Sequence, residues 1–319
     1  MSLKCVALGG GHGLYTSLTA LRSVSDDVTA IVTVADDGGS SGRLREEMGI
    51  LPPGDLRMAL SALCEDTEWG HTWRDVLQLR FDTEGPLNGH AVGNLLIAAL
   101  WTRTGDIVDG LDWVGRLLRA RGRVLPLAGE PLEIAATVRD ADSEIEVRGQ
   151  VAVATARGRV TSVSITPAEP AVPEATLAAL HAADLIVLGP GSWYTSVLTH
   201  FLVQPVAQAL VAAGPRTVVI LNIAHEDPET AEMGRADDVR ALRELAPTFA
   251  PALVLVDATH EDDDELMNEL DAWGVPWAVA PMLEAETTDR HDSSSLAQEL
   301  LRVAHISEKH AHNPGQVAG

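Results

Sequence analysis

Cys5-Val6-Ala7-Leu8-Gly9-Gly10-Gly11-His12-Gly13-Leu14 begins with four apolar residues and breaks into a glycine run directly before a helical pattern. A buried strand, a glycine-rich loop and a helix form the first unit of a doubly wound α/β fold. Glycines let backbone N–H groups close on a ligand. The helix N-terminus that follows adds about half a positive charge, so the loop suits a phosphate. The spacing is not G-x-G-x-x-G, because after Gly11 and Gly13 the third glycine is missing, so the dinucleotide fingerprint is not met.

Outward from this unit, near-continuous Val/Ile/Leu runs at Ala30–Ala35, Asp184–Leu188, Thr217–Leu221, Ala252–Val256 and Trp277–Ala280 predict further strands. Helical patterns at Leu14–Val24, Asp237–Leu245 and Glu265–Trp273 lie between them. Strands apolar on both faces and alternating with helices predict an α/β, Rossmann-like, doubly wound and mainly parallel sheet. The middle of the chain differs. Glu146-Val147-Arg148, Val151-Ala152-Val153 and Val160–Ile165 alternate polar and apolar residues, and Ala156-Arg157-Gly158 has the composition of a hairpin turn. An antiparallel β insertion is expected at about 130–168. The rest of 1–306 is expected to form one large domain, followed by a disordered tail at 307–319.

Composition narrows the partners. The chain has 319 residues, enough at roughly 150 per domain for two domains or one large one. Its 23 basic and 46 acidic residues give a net charge of −23, which disfavours nucleic acid and anionic membranes. No apolar run is long enough to predict membrane insertion. Cys5 and Cys64 are the two cysteines, too few for a disulfide framework or a thiolate metal cluster. A cytoplasmic protein is expected. Lys4 and Lys309 are the only lysines, so a phosphate has to be held by backbone N–H groups, hydroxyls or arginine.

Three further loops carry candidate chemistry. Asp36-Asp37-Gly38-Gly39-Ser40-Ser41-Gly42-Arg43 follows the second strand. An acid there could bind a ribose hydroxyl, which keeps a nicotinamide dehydrogenase open as a distant reading. Two adjacent carboxylates beside a Gly/Ser loop also suit hydroxyl or metal contacts, with Asp37 the candidate for Mg²⁺. The G-x-S-x-G match around Ser40 is set aside as a nucleophile elbow, because only two strands precede it. Asn88-Gly89-His90-Ala91-Val92-Gly93-Asn94 places His90 as a candidate acid or base and Asn94 as a ligand contact just before an apolar helix. Gly189-Pro190-Gly191-Ser192 repeats the strand–glycine–helix design, Asn222 ends another strand, and Arg290 is suited to a phosphate. The acidic run Glu261–Glu265 reads as a solvated helix start.

Together these loops resemble the YvcK/CofD-like family, and its YvcK branch of gluconeogenesis factors in particular. The resemblance rests on Gly9–Leu14, Ile31–Arg45, Leu51-Pro52-Pro53-Gly54-Asp55-Leu56-Arg57, Gly89-His90, Gly93-Asn94-Leu95, Gly189–Val197 and Arg290-His291-Asp292. His12 stands where the family usually has threonine, and Ser293 where threonine is common. The resemblance implies a Rossmann-like, self-associating (dimeric) bacterial protein that binds UDP-sugars and is linked to gluconeogenic growth, cell shape and wall synthesis. In the CofD branch it implies transfer of a phosphate-linked three-carbon acid from a GDP-linked donor to a deazaflavin, with Mg²⁺. The site expected on these grounds comprises Gly9, Gly10, Gly11, His12, Gly13, Asp36, Asp37, Gly38, Gly39, Ser40, Asn94, Gly189, Gly191, Ser192, Asn222 and Arg290. Asp36, Asp37 and His90 are its catalytic candidates if the protein is an enzyme.

Overall fold

The computed structural model describes residues 2–140, 143–224 and 233–312. The first half runs β1 (Lys4–Gly9), α1 (Gly11–Leu21), β2 (Asp27–Val32), α2 (Gly39–Met48), α3 (Gly54–Ala62), α4 (Glu68–Gln78), α5 (Val92–Thr104), α6 (Ile107–Leu118) and β3 (Arg123–Pro126). An insertion follows: β4 (Glu133–Asp140), β5 (Ser143–Arg148), α7 (Gln150–Ala154) and β6 (Arg159–Thr166). The second half comprises α8 (Glu174–Ala182), β7 (Leu185–Leu188), α9 (Thr199–Leu202), α10 (Gln204–Ala212) and β8 (Thr217–Ile220). It ends with α11 (Arg235–Leu245), β9 (Leu253–Asp257), α12 (Asp264–Trp273), β10 (Trp277–Ala280) and α13 (Ser293–His312).

Seven strands form one sheet in the order β10-β9-β8-β7-β1-β2-β3, every neighbouring pair being parallel. The central strands are apolar on both faces because helices cover both. Val6, Ala7, Leu8, Ile186, Val187, Leu188, Val218 and Val219 are all buried. The chain winds from β1 outward through β2 to β3, then returns to β7 and winds the other way. The order therefore reverses between β1 and β7, and a crevice opens there beyond the carboxyl ends of the strands.

The expected doubly wound sheet and mid-chain antiparallel insertion are both present, the insertion as a separate sheet in the order β5-β4-β6. Four details differ from the sequence reading. Val151-Ala152-Val153, expected as strand, lies in α7. Gly149 turns the chain there at φ 96°, and the Asp37 carboxylate accepts the Val151 N–H at 2.9 Å, so a contact distant in sequence outweighs β propensity. β2 ends at Val32 rather than Ala35. β3 is a four-residue edge strand, too short for its pattern to stand out. α13 continues through Ser307 to His312, where a tail was expected; residues 313–319 lie outside the described residues. Among the described residues, no helix is long and apolar enough to cross a membrane.

Candidate functional site

At the β1/β7 crevice the two glycine loops touch. A Cβ on Gly13 would overlap the Pro190 carbonyl, and one on Gly10 would lie 2.6 Å from Asp55 Oδ2 and 2.7 Å from Thr33 Oγ1. These glycines are therefore required for close approach of backbone to backbone and of backbone to carboxyl. Gly191 sits at φ 146°. Its conformation is clamped by Asn222, whose Oδ1 accepts the Gly191 N–H at 2.9 Å and whose Nδ2 donates to the Gly191 carbonyl at 2.8 Å. Ser17 Oγ donates to the Gly189 carbonyl at 2.7 Å, tying α1 to the second loop. A π-helical turn at Trp193–Val197 follows, held by the Trp193 indole N–H on the Asp238 carbonyl at 2.9 Å.

The cleft between the loops has a volume of about 640 Å³. Of the expected residues, it is lined by Gly10, Gly11, His12, Gly13, Gly191, Ser192, Asn222 and Arg290. Gly9 and Gly189 form the strand ends beneath it. Arg290 is exposed on the short turn between Leu283 and His291, which are bridged to each other. Its guanidinium makes no ion pair or hydrogen bond among the described residues, in a chain where most cations near acids are paired. A guanidinium without such partners, lining the same cleft as the α1 N-terminus, suits an anion.

The second-strand loop lies to one side. Asp36 Oδ1 accepts the Gly38 N–H at 2.9 Å, and Gly38-Gly39-Ser40 start α2. Ser40 and Asn94, expected as ligand contacts, are buried in a polar network. Ser40 Oγ accepts from the Ala91 N–H at 3.3 Å and from Asn94 Nδ2 at 3.0 Å, and lies 3.0 Å from His90 Nδ1. Asn94 Oδ1 in turn accepts from Arg57 Nε at 2.9 Å. Two donors occupy the serine lone pairs, so its hydroxyl donates to His90 Nδ1 and the imidazole carries its proton on Nε2. Burial, followed by the nearby Arg43 guanidinium, lowers the His90 pKa below its ordinary value. None of Asp36, Asp37, Gly38, Gly39, Ser40, His90 or Asn94 lines the cleft.

The residue that links this loop to the cleft is Asp55, which the sequence reading quoted within a motif but did not assign. It lines the cleft beneath Gly10 and Gly11. Burial pushes its carboxyl up to about 7, the adjacent Asp36 carboxylate pushes in the same direction, and the Gly11 backbone and Thr33 hydroxyl oppose the shift. Asp36 Oδ2 would lie 2.8 Å from a Cβ on Gly54, which brings it beside Asp55. Thr33, Asp36 and Asp55 are hard oxygen donors of the kind Mg²⁺ prefers. Among the described residues no group of three or more His, Cys, Asp or Glu converges. Two carboxylates alone would hold an ion only with its other positions filled by water and ligand phosphates. Asp37, the expected Mg²⁺ candidate, has its carboxylate engaged by α7. Gln150 and Ala154 of α7 form the cleft's far wall, with Glu284, Asp289 and His291 at its rim. The sequence assigns no role to these positions, although His291 stands within the Arg290-His291-Asp292 motif.

The family model described as "2-phospho-L-lactate transferase CofD" matches residues 5–305. A protein of Mycobacterium tuberculosis (strain CDC 1551 / Oshkosh) named "Putative gluconeogenesis factor" is 43% identical over 308 residues, spanning 92% of this chain and 88% of its own. The "Gluconeogenesis factor" of Bacillus subtilis (strain 168) is 40% identical over 242 residues, 76% of this chain and 74% of its own. The crystal structure of a UPF0052 family protein from Bacillus halodurans superposes with a TM-score of 0.84 at 32% identity, covering 94% of this chain and 99% of that one. The chain belongs to the CofD family, on its gluconeogenesis-factor (YvcK) branch.

Proposed function

We propose that this protein binds a nucleoside diphosphate sugar, a UDP-sugar by preference, and acts as a cytoplasmic regulator of carbon metabolism, cell shape and wall synthesis rather than as a catalyst. One observation carries the reading: Arg290, whose guanidinium has no partner among the described residues, lines a single cleft with the Gly10–Gly13 and Gly191-Ser192 loops. Backbone N–H groups and the α1 N-terminus would hold the diphosphate, and Arg290 would neutralise it. The volume of about 640 Å³ is within the usual range for a small-ligand site. Self-association as a dimer and the absence of a nucleic-acid partner belong to the same reading.

A second reading, a transferase acting on a GDP-linked donor and a deazaflavin with Mg²⁺, is favoured by Asp36 and Asp55 beside the cleft. In that case the two carboxylates would hold the ion, which would neutralise charge on the leaving phosphate. Asp55, with its raised pKa, would release a proton as the ion arrives. Prolonged incubation of the protein with Mg²⁺, a GDP-linked donor and a deazaflavin acceptor, followed by mass spectrometry, separates the two. Unchanged donor and acceptor are expected; Mg²⁺-dependent product, abolished in Asp55→Asn, would establish the transferase.

A further inference from the structure

Helix α6 packs against the edge strand β3, two strands out from the β1/β7 crevice. It turns Gly110, Leu111, Val114 and Leu118 inward. Its outward stripe is Asp109, Trp113 and Arg116, all exposed, and spacings of four and three residues put them on one face. Trp113 is 53% exposed. The Arg116 guanidinium stacks over its indole, 5.0 Å from the ring centroid, and makes no ion pair or hydrogen bond among the described residues. The Asp109 carboxylate makes none either and acts on Arg123 only at longer range. Charge follows an order along the helix, with Asp106, Asp109 and Asp112 before the tryptophan and Arg116 and Arg119 after it. The helix dipole accounts for that order. It does not account for an exposed indole at the boundary beside an unpaired arginine, the two residue types most enriched where proteins anchor on one another. Next to the stripe lies a hollow of about 340 Å³ bordered by Leu60, Asp112, Gly115, Arg116 and Arg119. Gly115 leaves it open: a Cβ there would meet only the Ala120 Cβ, at 4.0 Å.

We propose that this face of α6 docks on the same face of a second copy of the chain, the two helices running antiparallel about a two-fold axis. This rests on the self-association proposed above and deepens it by assigning the surface. In an isologous contact every pairing occurs twice. An axis passing between positions 112 and 113 sets Asp109 of each copy against Arg116 of the other. The seven-residue separation, about 10.5 Å along a helix, maps onto itself when the helix is reversed, so both ion pairs close in one arrangement. The same axis brings Trp113 opposite position 112 of the other copy, at the border of the hollow, where Gly115 leaves room for the indole. A parallel arrangement would set Asp109 on Asp109 and Arg116 on Arg116, and like-charge repulsion rejects it. A chain of net charge −23 repels its own copy over most of its surface. Association therefore needs a face that carries both signs in self-complementary order, and this one does. Docking at the β3 edge leaves the β1/β7 cleft of each copy open.

Sedimentation velocity over a concentration series compares the parent with Asp109→Arg, Arg116→Asp, the two combined, Trp113→Ala and Gly115→Leu. The parent is expected to be a dimer. Each single reversal sets like charges together twice per dimer and should weaken association by about tenfold or more. The combined variant, with opposite charges facing again, should recover the parent's affinity. Trp113→Ala removes the anchor and Gly115→Leu fills the hollow, so each should give monomers whose circular dichroism is native. The charge-reversal set decides even where Trp113→Ala fails to fold. A dimer unaffected by the single reversals, or a combined variant no tighter than either single one, overturns this surface and leaves the self-association reading standing. A dimer unchanged by Gly115→Leu overturns the antiparallel seating in the same way. A parent that is monomeric at every concentration refutes self-association itself, and this surface with it.

Discussion

Arg290 and Asp55 line one cleft and are expected to affect the protein in opposite ways. Arg290 is exposed and its guanidinium makes no ion pair or hydrogen bond among the described residues, so Arg290→Ala should leave stability within about 0.5 kcal/mol of the parent. It should weaken UDP-sugar binding by about 1.5–3 kcal/mol, the worth of a charge-assisted contact; calorimetry on parent and variant checks this. Asp55 behaves in the reverse way. Its carboxyl is raised to about 7 by burial and by Asp36, well above the value in an unfolded chain. Below about pH 4 it is protonated in both states, and its contribution to stability is fully present. Between about pH 4 and 7 the unfolded chain ionises first, so stability falls as pH rises, by up to about 4 kcal/mol, and above pH 7 the loss is complete. Asp55→Asn removes this dependence. Urea titrations should find the variant equal to the parent near pH 4 and more stable than it at pH 8; a variant less stable than the parent at pH 8 would show that the ionised carboxylate is stabilising there.

The secondary elements that build the cleft differ in how far the sequence announces them. Both glycine loops were legible, because the need for Gly13 against Pro190 and for Gly191 at φ 146° is a local backbone constraint that leaves glycine in the sequence. Gly191→Val should therefore abolish ligand binding in a protein whose circular dichroism remains native, since a β-branched residue is strained at that φ. Retained affinity would make the loop merely structural. The α7 wall was not legible. Its Val151-Ala152-Val153 reads as strand, and only the Asp37 carboxylate, over a hundred positions earlier in the chain, fixes it as helix. Asp37→Ala should destabilise the α7 start by about 1 kcal/mol, as loss of a cap does, seen as faster hydrogen exchange at the Val151 amide with the main sheet unaffected. Asp55 escaped assignment for the same reason as α7. Its raised pKa arises from what the closed fold packs around it, with Gly10, Thr33 and Asp36 nearby.

For the whole molecule, the two halves of the sheet wind away from β1 and β7, which places the loops after these strands at one crevice although they are separated by about 180 positions of sequence. Two strand–glycine units meet at the switch point and line one cleft, the one in which we propose the anion is held, with Asp36 beside Asp55 at its side. The family holds both a transferase and gluconeogenesis factors, and the same cleft can serve either. The distinction is whether the ligand is held intact without the ion. The most direct measurement is calorimetric titration of the parent protein with UDP-N-acetylglucosamine in excess EDTA, followed by chromatography of the recovered ligand. The account predicts saturable one-site binding and intact ligand. Heat signals no different from buffer dilution, or binding that appears only when Mg²⁺ is restored and is accompanied by turnover, would contradict it.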